Sequence, residues 1–263
     1  MQPVKRYTVI TGASSGIGYE TAKAFADRGK NLIIAARRTV NLEILKHEIL
    51  EKHPTLDVVI KSVDLSALEN VYQFYSSLKD FQLETWVNNA GFGNYDSVAH
   101  QDLKKIDIML RLNIEALTIL SSLFVRDYKD IPGTQLINIS SCGGYTIVPT
   151  AITYCATKFY VSTFTEGLAW ELIESGATMR AKVLAPAATQ TEFGKKANNV
   201  EQYDYDKAFG IYHTSQQMAA FLLRLYDSNN TLGIVDRETF KFELRAPVFP
   251  YSNASAHNQK VGT

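Results

Sequence analysis

Tyr7-Thr8-Val9-Ile10-Thr11-Gly12-Ala13-Ser14-Ser15-Gly16-Ile17-Gly18 places a short β-rich run directly before three glycines, and a helical pattern follows from Glu20 to Arg28. Glycines at a strand-to-helix junction let the backbone approach a pyrophosphate, whose charge is met by free N–H groups and the positive end of the helix dipole. The spacing is Gly-x-x-x-Gly-x-Gly, not the Gly-x-Gly-x-x-Gly of the dinucleotide fingerprint, and in a chain with fifteen glycines an ordinary turn is the competing reading. Position favours phosphate contact, because the loop stands between a strand and a helix within the first twenty residues. Gly12, Ser14, Ser15, Gly16, Ile17 and Gly18 are then the candidate phosphate-binding residues.

Outward from this loop, apolar runs alternate with helix-length segments. Strands are expected near 6–11, 31–36, 57–63, 84–88, 134–140 and 179–185. Such alternation means βαβ units and a parallel sheet. Right-handed crossovers then give a doubly wound sheet with helices on both faces and a ligand crevice at the carboxyl ends of the strands. The glycine loop, Arg37, Asp64, Asn89, Ser141 and Pro186 all fall at such ends. No repeat, low-complexity stretch or linker divides the 263 residues, so one domain is expected.

The second strand, Asn31 to Ala36, runs into Arg37-Arg38. An acidic residue about twenty positions past the glycine loop would bind a ribose 2′-hydroxyl, whereas arginine accommodates a 2′-phosphate. Guanidinium makes charge-assisted, often bidentate bonds to phosphate, so NADP(H) is favoured over NAD(H). The competing reading is a solvated arginine pair at the start of the next helix.

Candidate chemistry gathers further along. Tyr154 and Lys158 are one helical turn apart, and Ser141 stands thirteen residues before Tyr154, where the apolar run Gln135–Ser141 breaks into Cys142-Gly143-Gly144. A phenol has an ordinary pKa of about 10, and a cation on the same helix face would lower it towards neutrality, poising it for proton exchange with a carbonyl or alcohol oxygen. The serine hydroxyl would hold that oxygen. Tyr-x-x-x-Lys alone is weak, since Tyr19/Lys23, Tyr75/Lys79 and Tyr203/Lys207 share it, and Ser62 even precedes Tyr75 by thirteen. Chain order decides: only Tyr154 follows a buried-type strand ending in Ser-Ser-Cys-Gly-Gly after a complete nucleotide-binding half.

Taken together, Thr11-Gly12-x-x-x-Gly16-Ile17-Gly18, Asn88-Asn89-Ala90-Gly91, Asn113, Ser141 and Tyr154-x-x-x-Lys158 resemble, in order, the motifs of the short-chain dehydrogenase/reductase family in its compact form, over about Tyr7 to Gly233. The resemblance implies a Rossmann-like fold, with Tyr154 as general acid/base and Lys158 tuning it and holding the nicotinamide ribose. It further implies that Ser141 orients the carbonyl and that Asn113 keeps a water in a proton relay to Lys158. Asp64 with Leu65 looks like the adenine contact, and Asn89-Ala90-Gly91 like the turn beside the adenosine ribose. The Pro186 segment departs from the family's Pro-Gly, reading Pro186-Ala187-Ala188-Thr189-Gln190-Thr191, with Thr191 as the carboxamide contact and Thr189 near the cofactor. A structural Pro-Ala turn is the alternative there.

Net charge is zero with signs interspersed, which leaves no nucleic-acid footprint. No run long enough to span a bilayer is expected, and with no signal-like segment before the glycine loop a cytoplasmic home is the default. Cys142 and Cys155 read as small apolar filling, and the five histidines show no metal-ligand spacing. The stretches 105–125 and 159–173 are apolar nearly all round, so each should be buried on more than one side; the resemblance implies that helices 105–125 and 154–173 pair in a homodimer or homotetramer, against deeper burial within the monomer. Glu192–Thr214 loses its period and is expected to be an irregular lid whose aromatics Tyr203, Tyr205, Phe209 and Tyr212 close over an apolar substrate; a locally packed surface loop is the alternative. The polar tail 252–263 is expected to be flexible. The expected activity is an NADP(H)-dependent interconversion of a carbonyl and an alcohol; a dinucleotide-binding sensor or scaffold without turnover is the alternative.

Overall fold

The run that precedes the glycine loop lies in the middle of one sheet. In the computed structural model, which describes residues 5–252, β1 (Arg6–Thr11) pairs in parallel with β2 (Asn31–Ala36) on one side and β4 (Gln82–Asn88) on the other. α1 (Gly16–Ala26), α2 (Thr39–Lys52) and α3 (Leu68–Ser76) connect β1, β2, β3 (Val58–Ser62) and β4. The chain thus builds outward to β3, returns across β1 to lay down β4, and continues to β5 (Gln135–Ile139) and β6 (Arg180–Ala185). This reversal opens a crevice beyond the carboxyl ends of β1 and β4. The six expected strands are present, each within two residues of its expected bounds.

Two further strands extend the edge: β9 (Leu232–Val235) runs parallel to β6, and β10 (Phe242–Arg245) turns back antiparallel to β9. The order is β10-β9-β6-β5-β4-β1-β2-β3. Strands covered on both faces read as continuous apolar runs, and alternate residues serve alternate faces. Ile10, Ile34 and Val87 meet Phe25 of α1, Leu42 and Leu45 of α2, and Leu222 of α9 (Ser215–Asp227). Val9, Ile33 and Trp86 meet Phe74 of α3, Phe124 of α5 (Leu117–Tyr128) and Leu172 of α6 (Ile152–Glu174). Trp86 is wholly buried between Phe74, Tyr75 and Phe124, so its truncation to alanine would cost about 3–5 kcal/mol. Lys182 of β6 pins α9 to the sheet, its Nζ donating at 2.8 Å to the carbonyls of Leu225, Tyr226 and Ser228 at the end of that helix.

Three expectations need correction. The 105–125 helix runs from Leu103 to Tyr128 and is interrupted: α4 (Leu103–Leu110) passes through a π-helical turn, Arg111–Ala116, before α5. At 26 residues with a mean hydropathy of 1.6 in its most apolar 18-residue window, it is long and apolar enough to cross a bilayer, contrary to the sequence expectation. Its inner face is nevertheless committed to the protein through Met109, Asn113, Leu120 and Phe124, all essentially inaccessible. Its outer face, with Leu103, Ile108 and Leu110, stays exposed, as do Ile152, Tyr160 and Ile173 of α6.

The segment 192–214 is ordered rather than irregular. It holds α7 (Phe193–Asn198) and α8 (Tyr205–Phe209), and β7 (Thr189–Gln190) pairs with β8 (His213–Thr214). Asn199, at a φ of 54°, ends α7 in the left-handed conformation that asparagine tolerates. Asp204 caps α8 by accepting from Lys207 N. Tyr205 gathers Tyr203, Phe209 and Tyr212 around its ring, so these aromatics do pack on one another. Past Gly233 the chain continues through β10, and the N–H groups of Val248 and Phe249 donate to the buried carboxylate of Glu166 on α6. The expected flexible tail lies, from residue 253 on, outside the described residues.

Candidate active site

Gly12 and Gly16 adopt φ of 67° and 61°, the left-handed region that glycine enters without strain. Their missing side chains also make room for protein. A Cβ on Gly12 would fall 2.8 Å from Ala90 Cα, one on Gly16 2.9 Å from the Thr191 methyl, and one on Gly18 2.3 Å from Asn89 Nδ2. Asn89 Nδ2 donates to the carbonyls of Thr11 and Gly12, and Thr11 Oγ1 accepts from the N–H groups of Asn89 and Ala90. The 89–91 turn therefore braces the glycine loop as well as lining the crevice. Gly18 lies behind the loop, off the cleft wall, whereas Gly12, Ser14, Ser15, Gly16 and Ile17 are on it. No side chain caps the start of α1 at Ser15, so its first N–H groups are available to an anion.

At one end of the cleft, Arg37 and Arg38 have different surroundings. Arg37 is 62% exposed, with Asp64 at 3.9 Å as its ion-pair partner. Arg38 is engaged by Ser14, Ser15 and Glu192. The same contacts hold the Glu192 carboxyl down at about 2, first through Arg38 and then through Lys196. Asp64 accepts from Ser66 N and Oγ, and it lines the cleft beside the buried Leu65.

At the other end, α6 brings Tyr154 and Lys158 onto the wall next to Ser141, while the competing Tyr19/Lys23 and Tyr75/Lys79 pairs lie elsewhere. Tyr154 and Lys158 are 8% and 7% exposed. Lys158 Nζ donates to Ile139 O at 2.8 Å and lies 5.9 Å from the Tyr154 ring centroid. Burial brings the lysine down to about 8. The phenol moves against expectation: burial raises it above its ordinary range, the Tyr95 phenol adds to this, and the Ser141 hydroxyl pulls the other way without reversing it. Ser141 Oγ accepts from Gly143 N at 3.0 Å and has Pro186 O at 3.5 Å as an acceptor. Cys155 fills space as expected, whereas Cys142 stands half-buried on the cleft wall.

Asn113 sits one layer behind, in the π-helical turn. Its side chain accepts from Phe92 N and donates to Phe92 O and Thr157 Oγ1, clamping the segment after Gly91 against α6. Pro186 O receives Cys142 N, joining the ends of β5 and β6. Thr189 and Thr191 face the cleft, and Thr191 Oγ1 accepts from Phe193 N.

Several lining residues gave no sequence signal of their own. Phe193 lies against Tyr154 and Tyr95, and Arg237 and Phe240 arrive from the β9–β10 turn. Of the four expected closing aromatics, Tyr203, Tyr205 and Phe209 line the cleft; Tyr212 does not, its hydroxyl bonding Asp206 instead.

The cleft encloses about 690 Å³ and runs without interruption from Arg37 past the glycine loop to Tyr154. An open helix N-terminus midway, a guanidinium at one end and a buried Tyr-Lys-Ser group at the other describe a dinucleotide-dependent oxidoreductase. The model of the short chain dehydrogenase family matches residues 6–202, and the chain belongs to the short-chain dehydrogenase/reductase family, whose chemistry is NAD(P)-dependent interconversion of alcohols and carbonyls. It is 29% identical over 213 residues to human dehydrogenase/reductase SDR family member 11, covering 79% of this chain and 81% of that one. Among solved structures it is similar to a short-chain dehydrogenase from Sphingobium yanoikuyae in complex with NADPH, at 27% identity and a TM-score of 0.79 over 87% of each chain. It is also similar to the bulky-bulky ketone specific alcohol dehydrogenase from Comamonas testosteroni, at 26% identity and a TM-score of 0.74 over 87% of this chain and 85% of that one.

Proposed function

We propose that this protein uses NADP(H) to interconvert a ketone or aldehyde and its alcohol, with Tyr154 as the general acid/base. The observation that carries the reading is the placement of Tyr154, Lys158 and Ser141 at one end of a continuous cleft whose other end holds the exposed Arg37. When bound, the cofactor supplies or accepts the hydride. The first N–H groups of α1 would hold its pyrophosphate, Arg37 its 2′-phosphate and Lys158 its nicotinamide ribose. Ser141 donates to the substrate oxygen. Tyr154, kept protonated by burial, gives its proton to that oxygen as negative charge develops, which suits the reductive direction at neutral pH. Phe193, Tyr203, Tyr205 and Phe209 exclude water from the reacting end and favour a medium-sized apolar or aromatic carbonyl. The exposed apolar faces of 103–110 and of α6 pair between copies in a homodimer or homotetramer.

The NADPH complex of the Sphingobium relative supports the cofactor choice, and the ketone specificity of the Comamonas relative supports the substrate class. The test is NADPH oxidation by purified protein over a panel of aldehydes and ketones. Turnover of apolar ketones with NADPH preferred over NADH is the expected result. Tight NADPH binding with no carbonyl reduced would favour the sensor or scaffold alternative.

A further inference from the structure

Arg237 belongs to no motif discussed above, yet it stands at the substrate end of the cleft. It is carried by the turn between β9 and β10, which follows the carboxyl end of β9 next to that of β6, the strand leading into Pro186. The turn is built rather than loose. Asp236 Oδ1 accepts from Glu238 N, Thr239 N and Thr239 Oγ1, Asp236 N donates to Lys241 O, and Phe240 N donates to Asp236 O. Phe240 is held at a φ of 54°, a strained conformation that bulky side chains rarely adopt. Its ring lies against that of His213, 6.3 Å away between centroids. Strain of this kind persists where the surroundings impose it, and here the turn it shapes carries a guanidinium onto the cleft wall.

The other cations on that wall are engaged. Lys105 donates to Lys196 O and Asn199 Oδ1, Lys196 and Arg38 pair with Glu192, Lys158 donates to Ile139 O, and Arg37 lies near Asp64. Among the described residues Arg237 makes no hydrogen bond and no ion pair. Its charge is felt at Cys142, the residue after Ser141, whose thiol it draws down against the larger upward effect of burial. The rings of Phe92, Tyr95, Phe193, Tyr203 and Phe209 line the cleft together with Arg237 and Tyr154, and its carboxylates, Asp64 and Glu192, are already paired with arginines.

We propose that Arg237 is a specificity-determining residue that receives an anionic group on the substrate, so that the preferred carbonyls are oxo acids: a carbonyl at Tyr154, an apolar or aromatic body, and a carboxylate at Arg237. The inference rests on the oxidoreductase reading for the carbonyl and on the unpaired guanidinium for the acid. A guanidinium–carboxylate pair is charge-assisted and frequently bidentate, and discrimination against a neutral isostere is of the order of ten- to hundredfold.

The experiment compares benzoyl-propanoate, -butanoate and -pentanoate, each with its methyl ester, in the NADPH reaction. Wild type is expected to favour the acid over the ester in kcat/KM by about tenfold or more at one chain length, Arg237→Gln to bring that ratio to near one, and Arg237→Lys to keep part of it. Isothermal titration of each acid and ester into the NADP+-loaded protein reads the anion site independently of turnover. Acid binding that is tighter than ester binding and equalised by Arg237→Gln, with no carbonyl reduced, would keep the anion site and overturn the oxidoreductase reading. Acid and ester alike in both measurements, or a preference that survives Arg237→Gln, would overturn the role given to Arg237.

Discussion

The rings of Phe193 and Tyr154 lie 5.3 Å apart between centroids, tilted by 56°, so the first residue of α7 covers the phenol from which proton transfer is expected. Gly93 permits this contact, since a Cβ there would fall 2.4 Å from the Phe193 ring. Phe193→Ala admits water to the phenol and relieves the burial that raises its pKa. The pH dependence of alcohol oxidation, which needs the phenolate, should shift to lower pH by roughly a unit or more, the scale of desolvation effects at buried groups. A profile that superimposes on wild type would show that Phe193 does not control hydration at Tyr154.

Arg37 is the more available of the two arginines, because Arg38 is already bound by Ser14, Ser15 and Glu192. Arg37→Asp replaces attraction with repulsion at a 2′-phosphate and offers an acceptor to a 2′-hydroxyl. Loss of a charge-assisted bond is worth about 1.5–3 kcal/mol, so the ratio of NADPH to NADH affinity should fall by about ten- to hundredfold in fluorescence titrations. An unchanged ratio would mean that Arg37 is only a solvated neighbour of Asp64.

The two buried groups of α6 titrate in opposite senses. Lys158, brought down to about 8, is charged below that pH and neutral above it, whereas Tyr154, raised by burial, keeps its proton across the same range. For carbonyl reduction, kcat/KM should hold a plateau on the acid side of about 8 and decline above it as the lysine loses its charge. Alcohol oxidation should instead rise with pH. Lys158→Arg, if active, should move the alkaline limb of reduction upward; a limb that stays in place belongs to another group.

Tyr203, Tyr205 and Phe209 line the cleft from α8 and the chain before it, next to the Thr191 that faces the cofactor side. If the segment 192–214 acts as a lid, amide exchange there should slow when NADPH and an unreactive carbonyl analogue are bound. Tyr203→Ala and Phe209→Ala should then lower kcat/KM for bulky ketones more than for small aldehydes. Unchanged exchange together with unchanged substrate ratios would move selectivity to the loops 94–98 and 143–150.

Much of this architecture is legible in residue order because the buried strands carry it locally: Leu32-Ile33-Ile34-Ala35 is short, apolar and rich in β-branched residues, as a strand covered on both faces is, and Gly12, Gly16 and Gly18 mark the passage from β1 into α1. The rest depends on contacts distant in sequence. Nothing near Arg237 or Phe240 indicates that β9 will pair with β6 and carry their turn to the cleft. The order of 193–209 arises from Tyr205, whose hydroxyl donates to Thr191 O and accepts from Gly194 N, bonds invisible to periodicity. The spacing of Tyr154 and Lys158 reports their shared helix face, yet not that burial would raise the phenol or that Ile139 O would accept a hydrogen bond from the lysine. The π-helical turn around Asn113 likewise leaves the residue pattern of a single apolar helix.

Proton transfer by Tyr154 is tested by single-turnover reduction of the best carbonyl by NADPH in wild type and Tyr154→Phe. The substitution keeps the ring and its contact with Phe193 while removing the exchangeable proton. The rate should fall by about 10²–10⁴-fold, as for loss of a general acid, with NADPH affinity little changed. A rate within threefold of wild type would contradict the assignment of Tyr154 as the proton donor.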